Sequence, residues 1–311
     1  MGTAIVTGGA GFIGSHLCKE LLAKGFSIKV VDLNTEKKLP TREVEYIQGD
    51  CRDPNVMKPL IAQADAVYHF AATVSVPVCQ NEPFESYSNN QMATVAILEW
   101  IAKEKIKTGR SIKFLFAGSS VVYGSLAKNK DPRFENSPLA WPQSFYGAQK
   151  LGSEHAITLY REFFKIPSVV FRFFNVYGPG QDPKSPYSGV ISIFSTKIRE
   201  SKTIQLHGGG NQTRDFISVH DVARACAAGV DVPDELSDGK AINLGSGISV
   251  TIKELAEEMC RIAQKNVTLE TTPPRPGDVL HSLSDISRAR EVLKWSPKVS
   301  LTEGLTELLR N

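Results

Sequence analysis

The sequence predicts an α/β protein: a doubly wound parallel sheet with a smaller C-terminal α/β lobe. Three observations predict it. Short β-branched runs alternate with stretches of apolar residues at helical spacing through the first half. A glycine-rich turn follows directly on the first of those runs. After Gly178 the texture changes, because Gly178-Pro179-Gly180, Pro183 and Pro186 mark a long irregular crossing with shorter helical pieces beyond it. The chain's 311 residues exceed one small core and suit two packed lobes.

In chain order, Thr3–Thr7 reads as the first strand, and Phe12–Lys24 behind the glycines as the first helix. Ser27–Asp32, Val44–Gln48, Ala66–Phe70, Ile112–Ala117 and Ser168–Phe173 supply the remaining strands, rich in the residues a pleated, buried surface favours. Phe84–Lys105 and Ser144–Phe164 carry helical apolar spacing and cover the sheet. Residues 1–176 form the first domain on this reading, and 177–213 with 246–311 the second. Strand-like Asp215–Val219 and Ala241–Leu244, within segments near 214–245, are expected to return to the first sheet.

Composition narrows the function classes. Hydrophobic residues at 41% and charged residues at 22% are those of a globular protein. No apolar run approaches the length that spans a bilayer, so no membrane partner is expected. A net charge of +3 without basic blocks interleaved with aromatics leaves no nucleic-acid footprint. Cys18, Cys51, Cys79, Cys226 and Cys260 are scattered, with no metal-ligand spacing, which argues against a disulfide frame or a zinc site. With no secretory leader before Thr3, a cytoplasmic location is expected.

The run Thr7-Gly8-Gly9-Ala10-Gly11-Phe12-Ile13-Gly14 lies where a strand turns into a helix. There a pyrophosphate meets unpaired backbone N–H groups and the positive end of the helix dipole. Asp32 ends the second strand, roughly 20 residues past the glycines, where a carboxylate accepts hydrogen bonds from a ribose 2′-hydroxyl and repels a 2′-phosphate. Strand, glycines, helix and acid in register predict a Rossmann-type domain that binds NAD rather than NADP.

Tyr146 and Lys150 stand four residues apart at the start of a helix, which stacks phenol and ammonium on one face. A phenol titrates near ~10 and is a poor base at neutrality. A neighbouring ammonium and a positive nicotinamide ring both favour the phenolate, so Tyr146 is the expected base. Ser119, at the end of the fifth strand, offers a hydroxyl to the same substrate oxygen.

The glycine run, Asp32, Phe70-Ala71-Ala72, Ser119 and Tyr146/Lys150 together resemble the extended short-chain dehydrogenase/reductase family over essentially the whole chain. Later motifs resemble its nucleotide-sugar branch: Arg172-Phe173-Phe174-Asn175-Val176-Tyr177-Gly178-Pro179-Gly180, Arg214-Asp215-Phe216, Asn243-Leu244-Gly245 and Arg275-Pro276-Gly277-Asp278. The resemblance implies a dinucleotide held by Gly8, Gly11, Phe12, Ile13, Asp32, Leu33, Asn34, Asp50, Cys51, Phe70, Ala71, Ala72, Asn90, Tyr146, Lys150 and Phe173. It implies a UDP-sugar held by Ser75, Ser119, Ser120, Asn175, Val190, Leu206, Arg214, Arg275, Asp278 and Ser282. Asn175, Arg214 and Arg275 would grip the diphosphate, since guanidinium groups match paired phosphate oxygens. Val190 and Leu206 would border the base.

Relatives that dehydrate or decarboxylate carry a glutamate two residues after the strand-end Ser or Thr. Here Ser119-Ser120-Val121 puts valine at that place. The cycle then implied is that of UDP-hexose 4-epimerases, oxidation and re-reduction at one carbon. The small Ser282, seven residues after Arg275, and the stretch around it resemble epimerases of UDP-N-acetylglucosamine and UDP-N-acetylgalactosamine. UDP-glucose and UDP-galactose form the alternative pair. A 4-keto reductase, an epimerase at another carbon and a non-catalytic NAD sensor are the competing functions. Tyr146, Lys150 and Ser119 together weigh against the sensor. The strand-end motif reads Gly118-Ser119-Ser120 and leaves Ser119 versus Ser120 open, with the register to Tyr123-Gly124 favouring Ser119. As in relatives, the two long helices are expected to pair in a homodimer.

Overall fold

A computed structural model describes residues 2–36, 39, 41–124, 130–139, 141–181, 189–274 and 279–310. The first half alternates strand and helix: β1 Thr3–Thr7, α1 Phe12–Ala23, β2 Ser27–Asp32, β3 Val44–Gln48, α2 Pro54–Ile61 and β4 Ala66–His69. Then come α3 Val76–Asn81, α4 Pro83–Tyr87, a π-helical turn Ser88–Met92, α5 Ala93–Thr108, β5 Lys113–Ser119, α6 Phe145–Phe164 and β6 Ser168–Phe173. Beyond these lie β7 Asn175–Tyr177, α7 Val190–Arg199, β8 Ile204–His207, β9 Thr213–Ser218, α8 Val219–Ala228 and β10 Asp238–Leu244. The chain ends with β11 Ser249–Thr251, α9 Ile252–Ala263, β12 Leu269–Thr272, α10 Ser287–Val292 and α11 Leu301–Arg310.

Seven strands form one parallel sheet in the order β10-β6-β5-β4-β1-β2-β3. Alternate side chains of each strand enter opposite cores. Ala4 and Val6 pack with Leu17 and Leu21 of α1 and Cys226 of α8, while Ile5 packs with Ile97 and Ile101 of α5. Both faces are therefore covered, as a parallel sheet requires. The strand order reverses between β1 and β4, which opens a crevice at the carboxyl ends of the strands.

A third core, with Tyr177, Phe194, Ile204, Leu206, Leu255, Met259 and Leu305, belongs to the second lobe. Here the structure differs from one expectation. Thr213–Ser218 does not join the large sheet but pairs with β7 and β11 in a three-stranded sheet of its own. The place beside β6 is taken by β10, whose Ala241–Leu244 return was expected. Asp215 of β9 is meanwhile held by the Ser246 and Gly247 N–H groups at 2.7 and 3.1 Å. The helix expected over Phe84–Lys105 is interrupted by the π turn, which inserts one residue into the helical repeat next to the crevice.

Candidate active site

The crevice is a cleft of about 540 Å³ along the carboxyl ends of β1, β2, β4 and β5. At one end, the N-terminus of α1 has no side-chain cap and no acidic residue in its first turn. Its free N–H groups and dipole suit an anion. Two glycines make the approach: Gly8 has φ +72° and an added Cβ would lie 2.7 Å from Ala71 N. At Gly14 a Cβ would lie 2.2 Å from Gly8 O. The Asp32 carboxylate beside them accepts from Ala10 N at 3.1 Å and Asn34 N at 3.2 Å, which fixes it at the rim. This cradle and carboxylate fit a dinucleotide with a free ribose.

All residues expected to hold that dinucleotide line the cleft except Asn34 and Asn90. Asn34 is exposed and bonds Glu36 instead. Asn90 is buried, and its amide is used within the protein: it accepts from Thr73 N at 2.7 Å and donates to Thr73 O at 3.0 Å and Gln149 Oε1 at 2.7 Å. The π turn brings Asn89 to the cleft wall in its place, with Thr73 and Val74 beside it. Asp50 lines the cleft but is gripped by Arg52, which holds its carboxyl below the usual range. Burial pushes the Cys51 thiol up to about 12, so it is no nucleophile.

At the opposite end stand Ser119, Tyr146 and Lys150. Ser144 caps α6 by accepting from Gly147 N at 3.0 Å, and helical spacing then turns Lys150, Glu154 and Ile157 inward. The Ser119 hydroxyl lies beside the Tyr146 phenol and favours its ionised form, and Ser119 lines the cleft whereas Ser120 does not. Lys150 Nζ donates to Ala117 O at 2.8 Å and lies 5.8 Å from the centre of the Tyr146 ring. The charge balance in the protein without NAD is set by burial. Burial pushes the Tyr146 phenol up to about 12 despite the Ser119 hydroxyl. Burial likewise lowers Lys150 to about 8. In the protein alone desolvation is the largest influence, and Tyr146 is a neutral phenol.

A second cleft of about 410 Å³ adjoins the first, and Val176 and Gln181 line both. Asn175, Val190 and Arg214 line it as expected, with Asn175 Nδ2 on Asp215 O at 2.9 Å and Arg214 Nη1 on Val279 O at 2.6 Å. Leu206 does not: β8 alternation turns it into the core and presents Gln205 and His207 instead. Lys197 and Gln212 also line this cleft and were not singled out from the sequence. Ser75 is buried as the cap of α3, accepting from Val78 N at 3.0 Å. Ser120 and Ser282 lie outside the described walls of both clefts. Ser282 N donates instead to Thr213 O at 3.2 Å. Arg275 and Asp278 fall outside the described residues.

Residues 4–245 match the model of the NAD dependent epimerase/dehydratase family. The chain is 32% identical over 319 residues to a UDP-glucose 4-epimerase of Mycolicibacterium smegmatis, covering 99% of this chain and 98% of that one. A UDP-N-acetylglucosamine 4-epimerase from Methanobrevibacter ruminantium M1, in complex with UDP-N-acetylmuramic acid, superposes with a TM-score of 0.88. It is 31% identical, with 99% of this chain and 97% of that one covered. A UDP-glucuronic acid 4-epimerase from Bacillus cereus, in complex with UDP-glucuronic acid and NAD, gives a TM-score of 0.86. It is 30% identical, over 99% and 98% of the two chains. The chain belongs to the NAD-dependent epimerase/dehydratase family.

Proposed function

We propose that this protein is a UDP-sugar 4-epimerase, with NAD in the larger cleft and the UDP moiety in the adjoining one. One observation carries the reading. Among the described residues lining the larger cleft, the only carboxylates are Asp32 and Asp50, at the far end from Tyr146. The reacting end therefore offers a phenol, a hydroxyl and an ammonium, and no second acid or base for elimination or decarboxylation.

Bound NAD supplies the hydride acceptor and a positive ring charge. That charge, added to Lys150, opposes the burial that keeps Tyr146 neutral. Tyr146 then takes the 4-hydroxyl proton, directly or through Ser119, as the C4 hydride leaves. The 4-keto sugar turns about its diphosphate link and is reduced on its other face, and Tyr146 returns the proton. Asn175 and Arg214 hold the diphosphate while the sugar stays loosely gripped.

N-acetylated hexoses are the preferred pair, on the resemblance of the stretch around Ser282 alone. Incubation with UDP-N-acetylglucosamine, UDP-glucose and UDP-glucuronic acid separately, without reductant, should yield the C4 epimer by NMR, most rapidly from the first. Products altered only at another carbon, or turnover only with added NAD(P)H, would refute the reading.

Asp32 sets the dinucleotide. NADH should bind at least about ten-fold more tightly than NADPH, the scale of one like-charge contact of ~1.4 kcal/mol. Asp32→Ser should erase most of that ratio in a fluorescence titration. NADPH binding more tightly to the unaltered protein contradicts this.

We infer that a second copy covers α5 and α6, where Met92 and, on α6, Leu159, Phe163 and Phe164 are exposed. Sedimentation should give a dimer, and Phe163→Glu with Leu159→Glu a monomer. A monomer before substitution excludes it.

A further inference from the structure

Beneath the catalytic turn lies a buried ion pair whose role the reaction above does not use. Glu154, one helical turn past Lys150, and Arg172 of β6 are 8% and 6% exposed. Arg172 grips the carboxylate through Nε at 3.1 Å and Nη2 at 2.7 Å. Its Nη1 donates to the Tyr123 hydroxyl at 2.8 Å, and its guanidinium stacks 4.8 Å from that ring's centre. Tyr123 in turn donates to Asn243 Oδ1 at 2.7 Å. Breaking into such a buried pair is costly, whereas an apolar core of similar volume is often as stable. The pair is thus better explained by what it holds in place than by stability.

What it holds is the reacting end. The Glu154 carboxylate lies against Gly118, where an added Cβ would be 3.3 Å from Glu154 Oε1 and 2.8 Å from Phe171 O. Gly118 separates Ala117, whose carbonyl takes the Lys150 hydrogen bond, from Ser119, which lines the cleft with Tyr146. Tyr123 ends the short helical turn that Ser119 caps, so its hydroxyl pins the other side of Ser119. We propose that Glu154, Arg172 and Tyr123 are positioning residues that lock the end of β5 to α6, fixing Ser119 against Tyr146 and Lys150 against Ala117.

The inference rests on the assigned roles of Tyr146 and Lys150. The groups facing Lys150 are Tyr146 and Glu154 on α6, His69 on β4 and Cys79 on α3, with the Phe116 ring 4.7 Å away. His69 is kept neutral by burial and Cys79 is held as a thiol, so Glu154 is the charge that favours the ammonium.

Tyr123→Phe keeps the ring and removes only the bridging hydroxyl. It should lower kcat about ten-fold, the worth of one buried charged hydrogen bond, with substrate KM and bound NAD within about two-fold of the parent. Glu154→Gln alone strands a buried cation, so the second test is the Glu154→Gln/Arg172→Gln pair, which remains hydrogen-bonded and neutral. Its kcat should fall off at a lower pH on the alkaline side than the parent's, because Lys150 loses its carboxylate. Parent kcat in Tyr123→Phe, or an unmoved alkaline limb in a folded double variant, overturns the proposal. If Tyr146→Phe itself turns over normally, the catalytic reading has failed. If only the Tyr123 and Glu154/Arg172 variants are normal, the positioning alone has failed.

Discussion

Tyr146→Phe is expected to lose about 10²- to 10⁴-fold in kcat, the usual worth of a positioned general base. NAD content and the affinity for UDP should stay within about two-fold, because the ring and its packing remain and only the proton acceptor is lost. Single-turnover rates with UDP-N-acetylglucosamine, beside equilibrium binding of UDP, separate the two effects. The pH dependence carries a sign. Phenolate is the active form, so activity falls as pH drops through the phenol pKa of the complex. In the protein without NAD the phenol stands up at about 12. An acid limb below about 9 would therefore measure the combined pull of Lys150 and the bound ring. Undiminished turnover in Tyr146→Phe would remove the residue from the chemistry.

Lys150→Met should abolish most activity and yet stabilise the NAD-free protein at neutral pH. Lys150 is 3% exposed, and its pKa falls from 10.5 to about 8 on folding. A shift of that size corresponds to roughly 3 kcal/mol of penalty for burying the charge. Because the folded-state value lies below the unfolded one, the unfolded chain holds the proton more tightly. The penalty is complete below pH 8 and disappears as pH rises to about 10.5, so stability grows across that window. Methionine avoids the penalty but leaves Ala117 O without its donor, which returns about 1–2 kcal/mol. The net expectation is a gain of roughly 1–2 kcal/mol at pH 7 that shrinks toward pH 10. Denaturant melts of NAD-free protein at several pH values decide it, and a variant less stable at pH 7 contradicts the charge-burial account.

This trade explains part of what was legible in the sequence and what was not. Thr3–Thr7 and Ser168–Phe173 appear with the bounds their β-branched runs imply, because strands buried on both faces carry a near-continuous apolar signal, and Ser27–Asp32 and the edge strand Val44–Gln48 also keep their expected bounds. The glycine turn and Tyr146/Lys150 line the cleft as their local spacing implies. Asn90 and Asn89 were not separable, since the π turn that exchanges their places leaves no mark in apolar periodicity. Leu206 was assigned to a wall that Gln205 and His207 occupy, an error of one residue in a period-two element. Asp215–Val219 has a buried strand's composition, but composition does not say which sheet edge is vacant. Spacing shows that Lys150 neighbours Tyr146 but says nothing of the solvent excluded around both, which in the protein without NAD raises the phenol and lowers the ammonium.

The account holds that one carbon loses and regains the same hydride while Tyr146 handles the proton. Epimerisation of a UDP-sugar carrying deuterium at C4, run in ordinary water without added reductant, tests this most directly. The deuterium should be retained at C4 of the epimer, since on this mechanism the same hydride is returned to the carbon it left. Deuterium washed out to solvent during turnover would mean that C4 is inverted by proton abstraction, and the account would be wrong.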